Sequence, residues 1–122
     1  MDHAPSYRCS RPGLLLDAVD GDAAIFRDLA QLFIQETFAR HGDIVRLSAA
    51  GRYAEMGQEA HSLKGTAGTV GADDLVQLLQ QIEQAGLHLG LPCSAAQLSR
   101  LDELLQFARE DIETFLTTIP PG

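Results

Sequence analysis

Residues 61–71 of this 122-residue chain read HSLKGTAGTVG. A histidine, a lysine three positions on and a glycine four positions on form a set with a definite chemistry. An uncrowded imidazole is a nucleophile and is largely neutral near pH 7, because its ordinary pKa is about 6.5. An ammonium beside it supplies a point charge for an anion. A glycine one turn away leaves room for a group carried on the ring. Together they suit a phosphoryl group held transiently on nitrogen, a transfer that needs mainly positioning and charge neutralisation.

The phase of the surrounding helix decides whether His61 is reachable. At about 100° per residue, Met56, Ala60, Leu63, Ala67 and Val70 fall in one sector, with the spacing of a core stripe. His61 points roughly 140° from the centre of that stripe, toward solvent. Its neighbours on the same face are Ala54, Gly57, Gln58, Lys64, Gly65 and Gly68. Interior glycines cost a helix roughly 1 kcal/mol each relative to alanine, so they call for a reason. Here the small residues are expected to leave the imidazole standing clear and to let a partner surface approach. Close helix–helix packing is the competing explanation. Gly71 differs, since a cap at the end of the helix accounts for it.

The elements that must carry this face are helical throughout. Residues 1–12 are polar, with Pro5 and Pro12, and read as a flexible tail; 13–118 form the domain and 119–122 a second tail. Leu14, Leu15 and Leu16 fit a short apolar turn or helix. Asp20 or Asp22 caps a long helix reaching about Ala50, with Ile25, Phe26, Leu29, Leu32, Phe33, Ile44 and Leu47 near a 3.6-residue period. Gly51 stops it. The second helix spans about Arg52 to Val70. Asp73 or Asp74 starts a third, which holds Leu75, Leu78, Leu79 and Ile82 and ends or loosens at Gly86. Residues 87–94 read as a loop, and Ser94 caps a fourth helix containing Leu98, Leu101, Leu104, Leu105, Ala108, Ile112 and Phe115. No run alternates with the period of a strand. The expected fold is all-α: an antiparallel four-helix bundle with a short extra N-terminal helix or turn.

Composition narrows the function. Apolar content is 45% and charged content 21%, ordinary for a globular domain. A net charge of −8 with nine scattered Lys and Arg argues against nucleic acid and against an anionic membrane surface. No stretch reaches the roughly 18 apolar residues of a membrane span, and the N-terminus lacks a secretory apolar segment, so the expectation is a cytoplasmic protein. Cys9 and Cys93 are expected as free thiols. His3, His41, His61 and His88 form no H-E-x-x-H, and the cysteines no C-x-x-C, so no metal site is expected. A serine hydrolase lacks its G-x-S-x-G elbow, and Ser62 points about 100° from His61.

At His61 the sequence resembles the histidine phosphotransfer (HPt) domains of two-component phosphorelays. AHSLKGTAGTVG matches that family's core pattern from Ala60 to Gly71 without a gap: a histidine, Lys-Gly at +3 and +4, and a glycine some six residues further on. The stretch GADDLVQLLQQIEQAG resembles the next helix, and the segment with Phe26, Leu29 and Phe33 the first long one. The resemblance covers about residues 13–118. It implies that His61 accepts a phosphoryl group from a receiver-domain phospho-aspartate and passes it to another receiver. It further implies that Lys64 steadies the phosphate, that Gly65 keeps room for it, and that Glu83, or Gln80 one turn earlier, approaches from the third helix. The implied partners are response-regulator receiver domains and a hybrid sensor histidine kinase, separate or in the same polypeptide. The aspartates and Mg²⁺ of the reaction would belong to the receiver, so no cofactor is expected on this chain. Consistently, the sequence has no phosphate-cradling G-x-x-x-x-G-K-[ST] loop and no kinase glycine-rich loop; it is read as a phosphocarrier, not an enzyme. The rival reading is a non-catalytic module that docks on receivers or kinases. Retention of both His61 and Lys64 favours transfer, because docking alone needs neither.

Overall fold

The computed structural model describes residues 7–119. Helix α1 (Gly13–Ala18) leads into α2 (Ala23–Ala49), α3 (Tyr53–Thr69) and α4 (Asp73–Gln84). A π-helical turn, Ala85–Leu89, prolongs α4, and α5 (Ala95–Leu116) closes the chain. There is no strand among the described residues. The long helices form the antiparallel bundle expected from the periodicity, with α1 as the short N-terminal extra.

Local chemistry sets the boundaries. Of the two candidate caps for α2, Asp22 takes the position: its Oδ1 accepts from Ile25 N at 3.0 Å. Ser94 and Gln97 form a reciprocal capping box at the start of α5. Helix α3 ends at Gly71 (φ 64°), where Ala72 N donates back to Ala67 O at 3.2 Å. That is a Schellman turn, which needs a left-handed residue and so favours glycine.

The core is a single cluster. Met56, Ala60, Leu63 and Ala67 of α3 and Val70, its C-cap, are all fully buried, against Phe26, Ile44, Leu75, Leu79, Ile82, Leu101 and Ile112. Phe26 meets the Phe115 ring edge-on, with centroids 5.2 Å apart. Two members of the expected α2 stripe lie outside it: Ile25 is 48% exposed and Leu32 57%. The buried row of α2 is Phe26, Ala30, Phe33 and Thr37. Ile25 and Leu32 each sit one residue before that row, about 100° off its axis.

Residues 7–12 correct the expectation of a flexible tail from 1 to 12. They run as a strap across the bundle and are held by Asp111, a buried carboxylate on α5. Arg8 N and Ser10 N each donate to it at 2.9 Å, Cys9 N at 3.0 Å and the Ser10 hydroxyl at 2.9 Å. Arg11 N also donates to Val70 O at 2.6 Å, and Pro12 is buried. The rest of that segment, residues 1–6, lies outside the described residues. At the other end Ile119 packs on the core rather than in a tail; 120–122 are outside the description. Cys9 and Cys93 are free thiols. Burial pushes the Cys9 thiol up to about 11, so it stays protonated and a poor nucleophile.

The structure corrects part of the loop expected over 87–94: residues 87–89 belong to the π-helical turn, and 90–94 are loop. At Gly86 the helix loosens into that wider turn, one of the two expected outcomes, rather than ending. The chain stays helical through Leu89 and turns at Gly90 (φ 60°). Gly86 has no side chain to hold the turn away from α3, and packing there outweighs its poor helix propensity.

Candidate functional site

Helices α3 and α4 lie side by side and antiparallel, with a regular register across the seam. Gly57 faces Leu87, His61 faces Glu83 and Lys64 faces Gln80. Each step along one helix is matched by a step back along the other.

At the centre, His61 Nδ1 lies 2.8 Å from Glu83 Oε1. Lys64 Nζ reaches the same oxygen at 2.9 Å and donates to Gln80 Oε1 at 2.6 Å. The His61 side chain is 66% exposed, whereas that of Glu83 is only 11% exposed. A buried carboxylate thus holds one edge of a ring whose other edge faces solvent. The hydrogen bond from Lys64 keeps the Glu83 carboxyl below its usual range; burial opposes this, and the His61 bond adds to it. An ionised carboxylate only accepts, so Nδ1 carries the proton and donates. In the neutral ring the lone pair then sits on Nε2, pointing outward.

The lowered native value sets a pH dependence. A depressed carboxyl contributes stability above its ordinary value, 4.5 here, and loses it as pH falls through the lower native value. The urea midpoint of wild type is therefore expected to exceed that of Glu83→Gln near neutral pH, with the gap closing below about pH 4. A gap that stays constant from pH 7 to 3 would show that Glu83 is not ionised against Lys64 and His61.

Other residues expected on this face divide. Gly65 and Gly68 are exposed, and a Cβ built on either meets nothing within 4 Å. Ala54 and Gln58 are also exposed. Gly57 is a correction. It is buried, and a Cβ there would lie 2.8 Å from Leu87 Cγ and 2.9 Å from Leu87 N. For Gly57 close helix packing is the explanation, and it offers no surface to a partner. Its counterpart is Gly86, whose added Cβ would lie 2.9 Å from Gly57 N. The pairing was hidden in sequence because 29 positions separate the two glycines, and only the seam's register joins them. Asp111 was also missed. Its signal was a lone carboxylate in the α5 row, beside the core residues Ala108 and Ile112.

A family model described as the Hpt domain matches residues 28–113, well over half of the chain. The chain belongs to the Hpt domain family. The match spans the seam of α3 and α4 with His61, Lys64, Gln80 and Glu83 inside it. No curated protein and no solved structure matches the chain. Membership makes this domain a histidine phosphotransfer module of a phosphorelay, a phosphocarrier whose partners are response-regulator receiver domains. Among the described residues no helix is long and apolar enough to cross a membrane.

Proposed function

We propose that His61 is the phosphoryl carrier of this Hpt domain and that Nε2 is the atom that bonds to phosphorus. The observation that carries this reading is the exposed imidazole whose Nδ1 is bound by the buried Glu83 carboxylate. The Nε2 lone pair attacks the phosphorus of a receiver's aspartyl phosphate. The N–P bond forms, the acyl P–O bond breaks, and the receiver's carboxylate leaves with the electron pair. The ring gains positive charge as this happens, and Glu83 stabilises it through the Nδ1–H bond. Transfer to a second receiver runs the same step in reverse. The Mg²⁺ and the further aspartates of the reaction belong to the receiver.

Lys64 acts in two ways. Two of its three N–H groups go to Glu83 and Gln80, which fixes the carboxylate that orients His61. The third is left for a phosphoryl oxygen. Gly65, one turn beyond His61, gives the phosphoryl group and the receiver their clearance.

Gly65→Leu separates that role from a structural one. The position is open, and leucine is a better helix former than glycine, so the variant is expected to be more stable by up to about 1 kcal/mol. The same leucine crowds the approach to Nε2 and is expected to slow transfer at least tenfold, about 1.4 kcal/mol of barrier. A variant that melts higher and transfers at the wild-type rate would remove Gly65 from the site.

The test of the reading is transfer from a receiver domain charged with radiolabelled acetyl phosphate. Acid-labile, base-stable label on this domain is expected. Receiver binding without label would favour the docking module instead, although docking alone gives no reason for a buried carboxylate on the imidazole.

A further inference from the structure

We propose that Gln80 is a positioning residue for phosphoryl transfer: its side-chain carbonyl, acting through Lys64, aims one N–H of the ammonium at the phosphoryl group on His61. The inference rests on the carrier reading and adds a residue to it. His61 and Lys64 stand one turn apart on α3, and Gln80 and Glu83 one turn apart on α4. Glu83 Oε1 meets His61 Nδ1 at 2.8 Å and Lys64 Nζ at 2.9 Å. Lys64 Nζ also donates to Gln80 Oε1 at 2.6 Å. Among the described residues Gln80 makes no hydrogen bond to His61. Its path to the reacting ring therefore runs through Lys64.

The second acceptor is what fixes the ammonium. An ammonium only donates, so the Gln80 amide turns its oxygen, not its nitrogen, toward Nζ. Held by Glu83 alone, Nζ would pivot about a single hydrogen bond, and the flexible four-carbon stem would add its own rotamer freedom. Two acceptors, both on α4, stop that pivot. They set the direction of the remaining N–H, and a phosphoryl group on the ring one turn away is the anion within its reach. An amide does this without adding charge. Glu83 already balances Lys64, and a second carboxylate at position 80 would set a net negative charge against the anionic phosphoryl group. The bond lies at the edge of the seam rather than in the core: Gln80 is half-buried, and the Lys64 side chain is 23% exposed.

The experiment is a double-mutant cycle of Gln80→Met and Lys64→Met, with a receiver domain charged by radiolabelled acetyl phosphate. Receiver Kd and the single-turnover transfer rate at saturating receiver are measured separately for all four domains. Methionine matches glutamine in length and helix propensity, so the fold is kept, and thermal melting checks it. Gln80→Met is expected to slow the saturating rate about fivefold while Kd stays within about twofold, the mark of a lost positioning contact. In the Lys64→Met background the same change should slow the rate by less than about 1.5-fold, because a residue that acts through Lys64 has nothing left to position. An unchanged saturating rate in Gln80→Met, with normal labelling, would overturn this proposal and leave the carrier reading standing. Equal slowing in both backgrounds would also overturn it, because Gln80 would then act without Lys64. A wild type that takes no label from any charged receiver would remove the carrier reading and this role together.

Discussion

His61→Gln is expected to take up no label from a charged receiver domain, while melting close to wild type. Glutamine offers no nucleophilic nitrogen, because its amide lone pair is delocalised into the carbonyl. The loss should therefore be complete within the assay, at least a thousandfold, about 4 kcal/mol of barrier. The fold should survive. The His61 side chain is 66% exposed and contributes little to the core, and the glutamine amide can still donate to Glu83. His41 and His88 do not rescue the reaction. The carboxylate and ammonium that prepare the ring are gathered at His61. Residual label at a wild-type rate in the variant would place the carrier elsewhere.

The second large effect concerns stability. Gly86→Ala is expected to destabilise the domain by roughly 2–3 kcal/mol, although alanine is the better helix former. The added Cβ would fall against the Tyr53 carbonyl oxygen and within 3.0 Å of both Gly57 N and Gly57 Cα. All three are backbone atoms, so no side chain can swing aside and the helices must separate. Separation would also stretch the His61–Glu83 contact one turn away, so transfer should fall with stability. Thermal melting checks this: a midpoint roughly 10 °C below wild type is expected for a domain of this size. A midpoint at or above wild type would mean the seam is looser than described. Gly65 provides the contrast, since the same kind of substitution there meets open space.

That contrast marks what was legible in the sequence. The core stripe of α3 follows from a fixed 3.6-residue period, so Met56, Ala60, Leu63, Ala67 and Val70 could be read directly. The outward phase of His61 follows from the same arithmetic. Caps such as Ser94 and the turn at Gly71 are set by chemistry within a few residues, and they too were readable. What was hidden depends on contacts far apart in sequence. Gly57 and Gly65 look alike on a helical wheel, yet one packs against the π turn and the other faces solvent. No local pattern distinguishes them. Residues 7–12 look like a polar tail, because their hydrogen bonds go to Asp111, about a hundred positions away. The stretch after Gly86 has the punctuation of a loop, and only its fit against α3 keeps it helical. In α2 the sequence offers more apolar residues than the bundle can bury. Ile25 and Leu32 kept the period loosely and fell outside the core.

The carrier reading comes down to one atom. The domain should be labelled with ¹⁵N at histidine, phosphorylated from a charged receiver, and its imidazole nitrogens assigned by NMR through their couplings to ³¹P. The expected result is a phosphorus coupling at Nε2 of His61, with Nδ1 still protonated and bonded to Glu83. A coupling at Nδ1, or at a histidine other than His61, would contradict it.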